Sequence, residues 1–537
     1  MEFSAHSTPN AASPAAVTGT AAGEAAIANP ATAIPAAGPG RDWRLRALRF
    51  LAVAGPGVIV MVADNDAGAV STYTQAGAQY GTSLLWILVL LLPITYLVQE
   101  MVARLGIATG QGHAAMIYQR FGRFWGRFSL VDLVVVNFVT LVSEFAAVAL
   151  AARPLGLAPE PAVPLAAIGL VVLVGTGSYR RWERMTLALC GLNLAWLFLA
   201  WQVGPSAGEI ARGAALPSVP AGGVTGDFVF MAIALVGTTI APWQLFFQQS
   251  CVADKRLRFA DLRLARLDTF VGAIAVVVFA ACMMLVGDAL RRQGGTYTDP
   301  AQMAEALAPS IGHLGRTLIL LMMVNAALLG ATAISLSSAW ACGEVMGWRI
   351  TLQSRISEAP AFYAIYAASV ALAAGLVLIP RAPLQSIIIG VQVLSGVMLP
   401  SALVFLQLLL NDRAARPPLR QPALEQPGEL DGDRAAVRPL LGARRAGPAA
   451  RPVSLAILTQ RSAAMSDAIF DPRLLRPRPA PPVHPLDDAP EEKLFHAGLG
   501  RMPLTRSVKA SLLLLQAHLA LMLGLIVWRL LTLAGFV

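Results

Sequence analysis

Charge is scarce in this sequence. Asp, Glu, Lys and Arg supply 13% of its 537 residues, about half the share of a soluble globular domain. That scarcity excludes a fully solvated surface for most of the chain. Cysteine is scarcer, with Cys190, Cys251, Cys282 and Cys342 the only four. None has metal-ligand spacing and no disulfide scaffold is indicated, so they read as small packing residues. Histidine occurs six times. His113, near a helix end, His313, ahead of an apolar run, and His518, inside the last one, read as polar packing or interfacial residues rather than relays. No Ser/His/Asp set, zinc spacing or phosphate loop stands on a suitable scaffold, which argues against an enzyme.

Apolar residues fill the space that charge leaves, at 56% of the chain with a mean hydropathy of +0.62. They recur in runs of about 18 to 25 residues, each long enough to cross ~30 Å of hydrocarbon as a helix. Five runs occupy Leu48 to Gln75, Ser83 to Ala103, Leu130 to Ala152, Val163 to Gly177 and Met185 to Val203. Five more occupy Phe228 to Val252, Thr269 to Ala289, Thr317 to Gly343, Ala361 to Ile379 and Leu384 to Leu410, and an eleventh stands apart at Ala510 to Phe536. The expected class is an all-α integral membrane protein, embedded in a lipid bilayer.

Positive charge is distributed as such a topology requires, because cytoplasmic loops collect Lys and Arg. With the N-terminus inside, the inner connections hold Arg120, Arg123 and Arg127, then Arg180, Arg181 and Arg184, then Lys255, Arg256, Arg258, Arg263 and Arg266. Outer connections hold mostly isolated ones: Arg153, Arg212 and Arg381, with Arg291 and Arg292 the exception. The net charge of +10 is thus explained by topology, and no nucleic-acid partner is expected. High Ala, Arg, Gly and Pro content suits a GC-rich bacterial genome, so the expected location is the bacterial inner membrane. No pattern specifies an oligomeric state.

Residues 1–40 form an Ala/Pro-rich tract without Lys or Arg, lacking the basic start and apolar core of a signal peptide, and are expected to be disordered. Residues 41–412 form the ten-helix core. Residues 413–506 are rich in Arg and Pro, with runs such as "RLLRPRPAPPVHP" that cannot bury a core, and are expected to be a largely unstructured cytoplasmic segment. Residues 507–537 carry the eleventh helix.

The first run is interrupted by "VADNDAGAVSTY", residues 62–73. A carboxylate within a span costs a few kcal/mol and faces a cavity, a partner or an ion path. Gly55, Pro56 and Gly57 precede Asp64 and Asp66, and Gly68 follows them. These residues weaken the helical ladder, and an unwound segment frees carbonyl oxygens, which are ligands for a hard cation. The sixth run contains a matching break, "GTTIAPWQLFFQQS", where Pro242 cannot donate to the carbonyl of Thr238. Broken helices at corresponding positions of two five-helix halves, about 48–203 and 228–410, point to an inverted-repeat transporter with its site near the bilayer midplane.

At these residues the sequence resembles a family. "GPGVIVMVADNDAGAVSTYTQAGAQYGTSLLW" and "LVQEMVARLGIATGQGHA" are similar to the first two spans of the natural resistance-associated macrophage proteins, the NRAMP divalent-metal transporters. The likeness continues in "LVSEFAAVALA", "RRWERMTLALCG", "APWQLFFQQSCV", "GATAISLSSAWACGEVMG" and "QVLSGVMLPSALVFLQLLLND", covering most of residues 49–412. It implies a LeuT-like 5+5 inverted repeat and transport of divalent cations into the cytoplasm.

The resemblance also implies ligands. Asp66 matches the family's first-span carboxylate, the carbonyls of Ala63 and Thr238 match its backbone contacts, and Gln392 matches a tenth-span glutamine that closes over the site. Asp64, Asn65 and Gln244 are local additions, read as bridging or vestibule groups, while Gly68, Ala69, Ala241 and Trp243 line the site. The family's Asp-Pro-Gly-Asn reads Asp66, Ala67, Gly68, Ala69 here, and its Met-Pro-His reads Ala241, Pro242, Trp243. An asparagine ligand, a thioether ligand and a histidine linked to proton movement are therefore absent. Of the third-span acidic pair only Glu144 remains, a coupling or structural acid, with Leu141 in the other place.

Sulfur contributes favourably to softer transition metals and little to Mg²⁺, and two alanines enlarge the cavity for an ion that sheds water reluctantly. This pattern resembles the NRAMP-related magnesium transporter branch. The expected cargo is Mg²⁺, then Mn²⁺, with no other cofactor and transport uncoupled from protons. Three alternatives stay open: a proton-coupled Mn²⁺/Fe²⁺ transporter, a carrier of a small organic cation or amino acid with Asp66 pairing to ammonium, and a membrane sensor that signals through residues 411–506.

Overall fold

Glycine and proline decide where the helices of this protein begin, break and cross. The computed structural model describes residues 50, 53–219, 223–348, 351–380, 383–412, 493, 501–502 and 505–518. Contacts divide the chain into two units, Met1–Ala52 and Val53–Val537. Of the first only Phe50 is described, so the expected N-terminal tail lies outside the described residues.

Regular structure in the second unit is entirely helical among the described residues. The first pass is split into α1 (Pro56–Ala63) and α2 (Ala67–Tyr80). Gly81, at φ +62°, then turns the chain into α3 (Leu85–Thr109), a conformation that favours glycine. The short α4 (His113–Phe121) leads to α5 (Arg123–Ala152) and α6 (Pro159–Gly175). The fifth pass is α7 (Tyr179–Leu192) followed by α8 (Ala195–Gln202), and a short α9 (Ala207–Ala215) connects the halves.

The second half opens on another split pass, α10 (Gly226–Thr239) and α11 (Pro242–Asp254). It continues through α12 (Leu262–Arg292), α13 (Pro300–Met346), α14 (Pro360–Val377) and α15 (Leu384–Leu410). The α13 helix starts well before the apolar run at Thr317, because Asp299 caps it and Pro300 sits in its first turn; Gly312, at φ +72°, kinks it. Eight stretches of the described residues are long and apolar enough to cross a membrane, one of them containing both α2 and α3; α6 is a shorter apolar helix.

Exchanging the halves maps the packing onto itself. The α2 helix lies on α12 as α11 lies on α3, α6 on α5 as α14 on α13, and α1 on α7 as α10 on α15, while α5 packs on α13. This is the LeuT-like 5+5 inverted repeat. Glycines permit the close crossings: a methyl group on Gly77 or Gly287 would collide with the partner backbone between α2 and α12, and one on Gly237 with that of α15.

Of the Arg/Pro-rich stretch, most lies outside the described residues. Described residues of it touch the core: the Lys493 ammonium donates to the carbonyls of Ile107 and Leu257, the Met502 N–H donates to that of Arg120, and the Arg501 side chain lies against Gly122. Residues 506–518 are helical, and the remainder of the expected eleventh span lies outside the described residues.

Candidate metal site

The break in the first pass puts two carboxylates at opposing helix ends. Asp64 ends α1, and Asp66, extended at φ −72° and ψ −175°, begins α2 and accepts the N–H of Ala69 at 2.8 Å. An anion at a helix N-terminus meets unsatisfied N–H groups and the positive end of the dipole, which explains how a carboxylate is held there. Asp64, Asn65 and Asp66 are all buried.

Glu144 on α5 reaches the same place. It accepts the N–H of Ala67 at 3.0 Å, and its carboxyl and the Asp66 side chain both pack against Gly330. Ala67 is four residues after Ala63, so this contact takes the donor that would have continued the helix and leaves the Ala63 carbonyl without it. Gly330 on α13 makes room for the pair: a β-carbon there would lie 2.7 Å from the Asp66 Cβ and 2.8 Å from the Glu144 Cδ.

The second break frees a carbonyl in the same way. Ile240 and Ala241 are extended between α10 and α11, and the residue four after Thr238 is Pro242, which has no N–H to offer the Thr238 carbonyl. The Thr238 hydroxyl is also buried without a partner among the described residues. Gln392 of α15 lies against Gly68, whose added β-carbon would overlap its amide and sit 3.1 Å from Asp66 Oδ1. The Gln392 Nε2 is buried and unpartnered. Ala69 and Ala241 are buried beside this break, and Trp243 is locked by its ring contact with Phe247 and by Ser337 donating to its carbonyl at 3.1 Å.

Two of the local additions are engaged elsewhere. The Asn65 amide donates to the Val276 carbonyl of α12 at 3.4 Å, while its Oδ1 stays unpartnered. Gln244 donates to Asp64 Oδ1 and accepts from Gln99 Nε2, the latter at 2.8 Å.

Three participants went unseen in the sequence: Gln99, Gly330 and Asp268. Asp268 of α12 is buried and accepts the N–H groups of Gly55, Gly57 and Val58 at 3.1, 2.6 and 3.3 Å, gripping the start of α1. Beside it the Lys255 ammonium donates to the carbonyls of Val53 and Ala54 and pairs with Glu183 at 2.7 Å. No local pattern marks any of the three, since each acts on residues far away in sequence.

Among the described residues, no three His, Cys, Asp or Glu side chains converge as a metal cluster. The oxygens gathered around the breaks belong to the carboxyls of Asp64, Asp66 and Glu144, to amides and to freed carbonyls, a hard-cation donor set.

A family model described as "Natural resistance-associated macrophage protein-like" matches residues 57–425. Among curated relatives, the metal transporter Nramp6.2 of Populus trichocarpa is 30% identical over 40% of this chain and 39% of its own length. The divalent metal cation transporter MntH 1 of Pseudomonas aeruginosa is 30% identical over 49% of this chain and 63% of its own. The chain thus matches less than two thirds of either relative's length. A crystal structure of the Eremococcus coleocola manganese transporter shares the fold at a TM-score of 0.58 and 17% identity, covering 93% of this chain and 98% of that one. With the family model spanning well over half of the sequence and the split-helix fold in agreement, the chain belongs to the natural resistance-associated macrophage protein-like family.

Proposed function

We propose that this protein carries divalent metal cations across the membrane into the cytoplasm by alternating access, Mg²⁺ ahead of Mn²⁺, without obligatory proton coupling. The observation that carries the reading is the Asp66 carboxylate at the start of α2, with Gln392 beside it and alanines at positions 69 and 241. Such a wall supplies hard oxygen and no sulfur, and its small side chains leave room for water still bound to the ion. Asp66, the carbonyls of Ala63 and Thr238, and Gln392 are its ligands. The names of the relatives, a metal transporter, a divalent metal cation transporter and a manganese transporter, favour a metal over an organic cargo. The membrane potential suffices as a driving force, since two positive charges gain about 4.6 kcal/mol per 100 mV on moving inward.

One observation favours a second reading, proton-coupled Mn²⁺ transport. The buried side chains of Asp66 and Glu144 lie together against Gly330, and a cation arriving at Asp66 would displace a proton carried by either carboxyl.

Uptake into proteoliposomes separates the two. Mg²⁺ and Mn²⁺ entry is measured for wild type and Asp66→Ala, with internal pH recorded. Asp66-dependent Mg²⁺ entry that follows the membrane potential without acidification supports the first reading. Mn²⁺-only entry with acidification supports the second, and no divalent uptake rejects both.

A further inference from the structure

A polar chain crosses three helices behind the ion site. Gln99 of α3, Gln244 of α11 and Asp64 at the end of α1 are each buried to within 1% of complete. Gln99 Nε2 donates to Gln244 Oε1 at 2.8 Å, and Gln244 Nε2 donates to Asp64 Oδ1. The direction of this chain follows from its end. A carboxylate only accepts, so the Gln244 amide must turn its nitrogen to Asp64 and its oxygen to Gln99, which must then answer with nitrogen.

Two acceptor oxygens are left over, Asp64 Oδ2 and Gln99 Oε1, both buried and unpartnered. Thr95, one turn before Gln99 on the same face of α3, also keeps a buried, unpartnered hydroxyl. Oxygen-rich surfaces of this kind suit a divalent cation or the outward-pointing hydrogens of its bound water. Asp64 and Asp66 stand two residues apart and are both buried, and a dication between them would neutralise both.

We propose that Asp64 is the second anionic group of the ion site, presenting Oδ2, and that Gln99 is a positioning residue that fixes it through Gln244. This rests on the transport reading above and adds a charge-matching element: two carboxylates favour a dication over a monovalent cation.

The test is Mg²⁺ and Mn²⁺ uptake into proteoliposomes, with Na⁺ as competitor, for wild type, Asp66→Ala, Gln99→Met, Gln244→Leu and the double variant. Gln99→Met keeps length and removes the donor. It should raise KM about tenfold with little change in maximal rate, the loss expected for a charge-assisted hydrogen bond network, and make Na⁺ a stronger competitor. Because Gln99 acts through Gln244, adding Gln99→Met to Gln244→Leu should raise KM no further. A variant lost on purification is replaced by Gln99→Leu, read the same way. If wild-type uptake depends on Asp66 but KM and Na⁺ competition are unmoved in Gln99→Met, or the two substitutions are additive, the inference is overturned while the transport reading stands. If uptake is absent or independent of Asp66, both fall.

Discussion

Glu144 accepts the backbone N–H of Ala67 at 3.0 Å across 77 positions of sequence, taking the donor that would have satisfied Ala63. The break in the first pass is therefore maintained by a side chain on another helix as well as by local residues. Glu144→Ala should lose about 1–3 kcal/mol, the penalty for a buried group left unpaired, whereas Glu144→Gln keeps an acceptor oxygen and should fold like wild type. Thermal unfolding in detergent checks both. If transport is proton-coupled, Glu144→Gln should also abolish internal acidification during uptake.

Gly330 tests the packing behind that pair. Gly330→Ala brings a methyl carbon within 2.7 to 2.9 Å of Asp66 and Glu144 atoms, and overpacking of this kind costs about 1–3 kcal/mol. Divalent uptake should fall steeply. Gly375→Ala on α14, where nothing lies within 4 Å, should leave uptake unchanged in the same assay.

Ala241 sits at the start of α11 with no side-chain ligand to offer. Ala241→Met supplies a thioether, which interacts better with softer ions. Competition of Cd²⁺ and Mn²⁺ against Mg²⁺ should shift toward the softer ions by roughly tenfold, equivalent to about 1.4 kcal/mol. An unchanged ranking would mean that the site's oxygens alone set selectivity.

His113 gives a pH prediction with a definite sign. It lies in α4, outside the membrane-length helices, bonded to Gln249 at 2.8 Å and packed on Phe246. Burial pushes its pKa from 6.5 down to about 4. Between these values the unfolded chain binds a proton that the folded one does not, so stability rises with pH through this window and is level above it. Removing the group with His113→Gln should flatten that rise in a series of unfolding temperatures, and should leave uptake unchanged above pH 6.5.

Much of the frame was legible because hydropathy and helix breakers act locally. The long apolar runs become helical passes, Pro242 and the "DND" stretch mark the two interruptions, and Asp66 stands at a helix start as its surroundings imply. What the residues do to one another was less legible. Asn65 could be placed at the break, but its pairing with Val276 lies 211 positions away. Gln99 resembles any polar residue near the end of an apolar run until Gln244 arrives from 145 positions downstream. Periodicity reports which face is buried; it does not report which buried polar group meets which.

The eight-residue α1 is tied at both ends, by Asp268 on α12 at its start and by Gln244 on α11 at Asp64. It is too short to hold itself upright as an isolated helix. Any displacement of α1 would therefore have to carry α12 along or release three N–H groups from one buried carboxylate. If the proposed transport requires α1 to move, Asp268 sets how firmly it resists, from outside the proposed set of ion ligands.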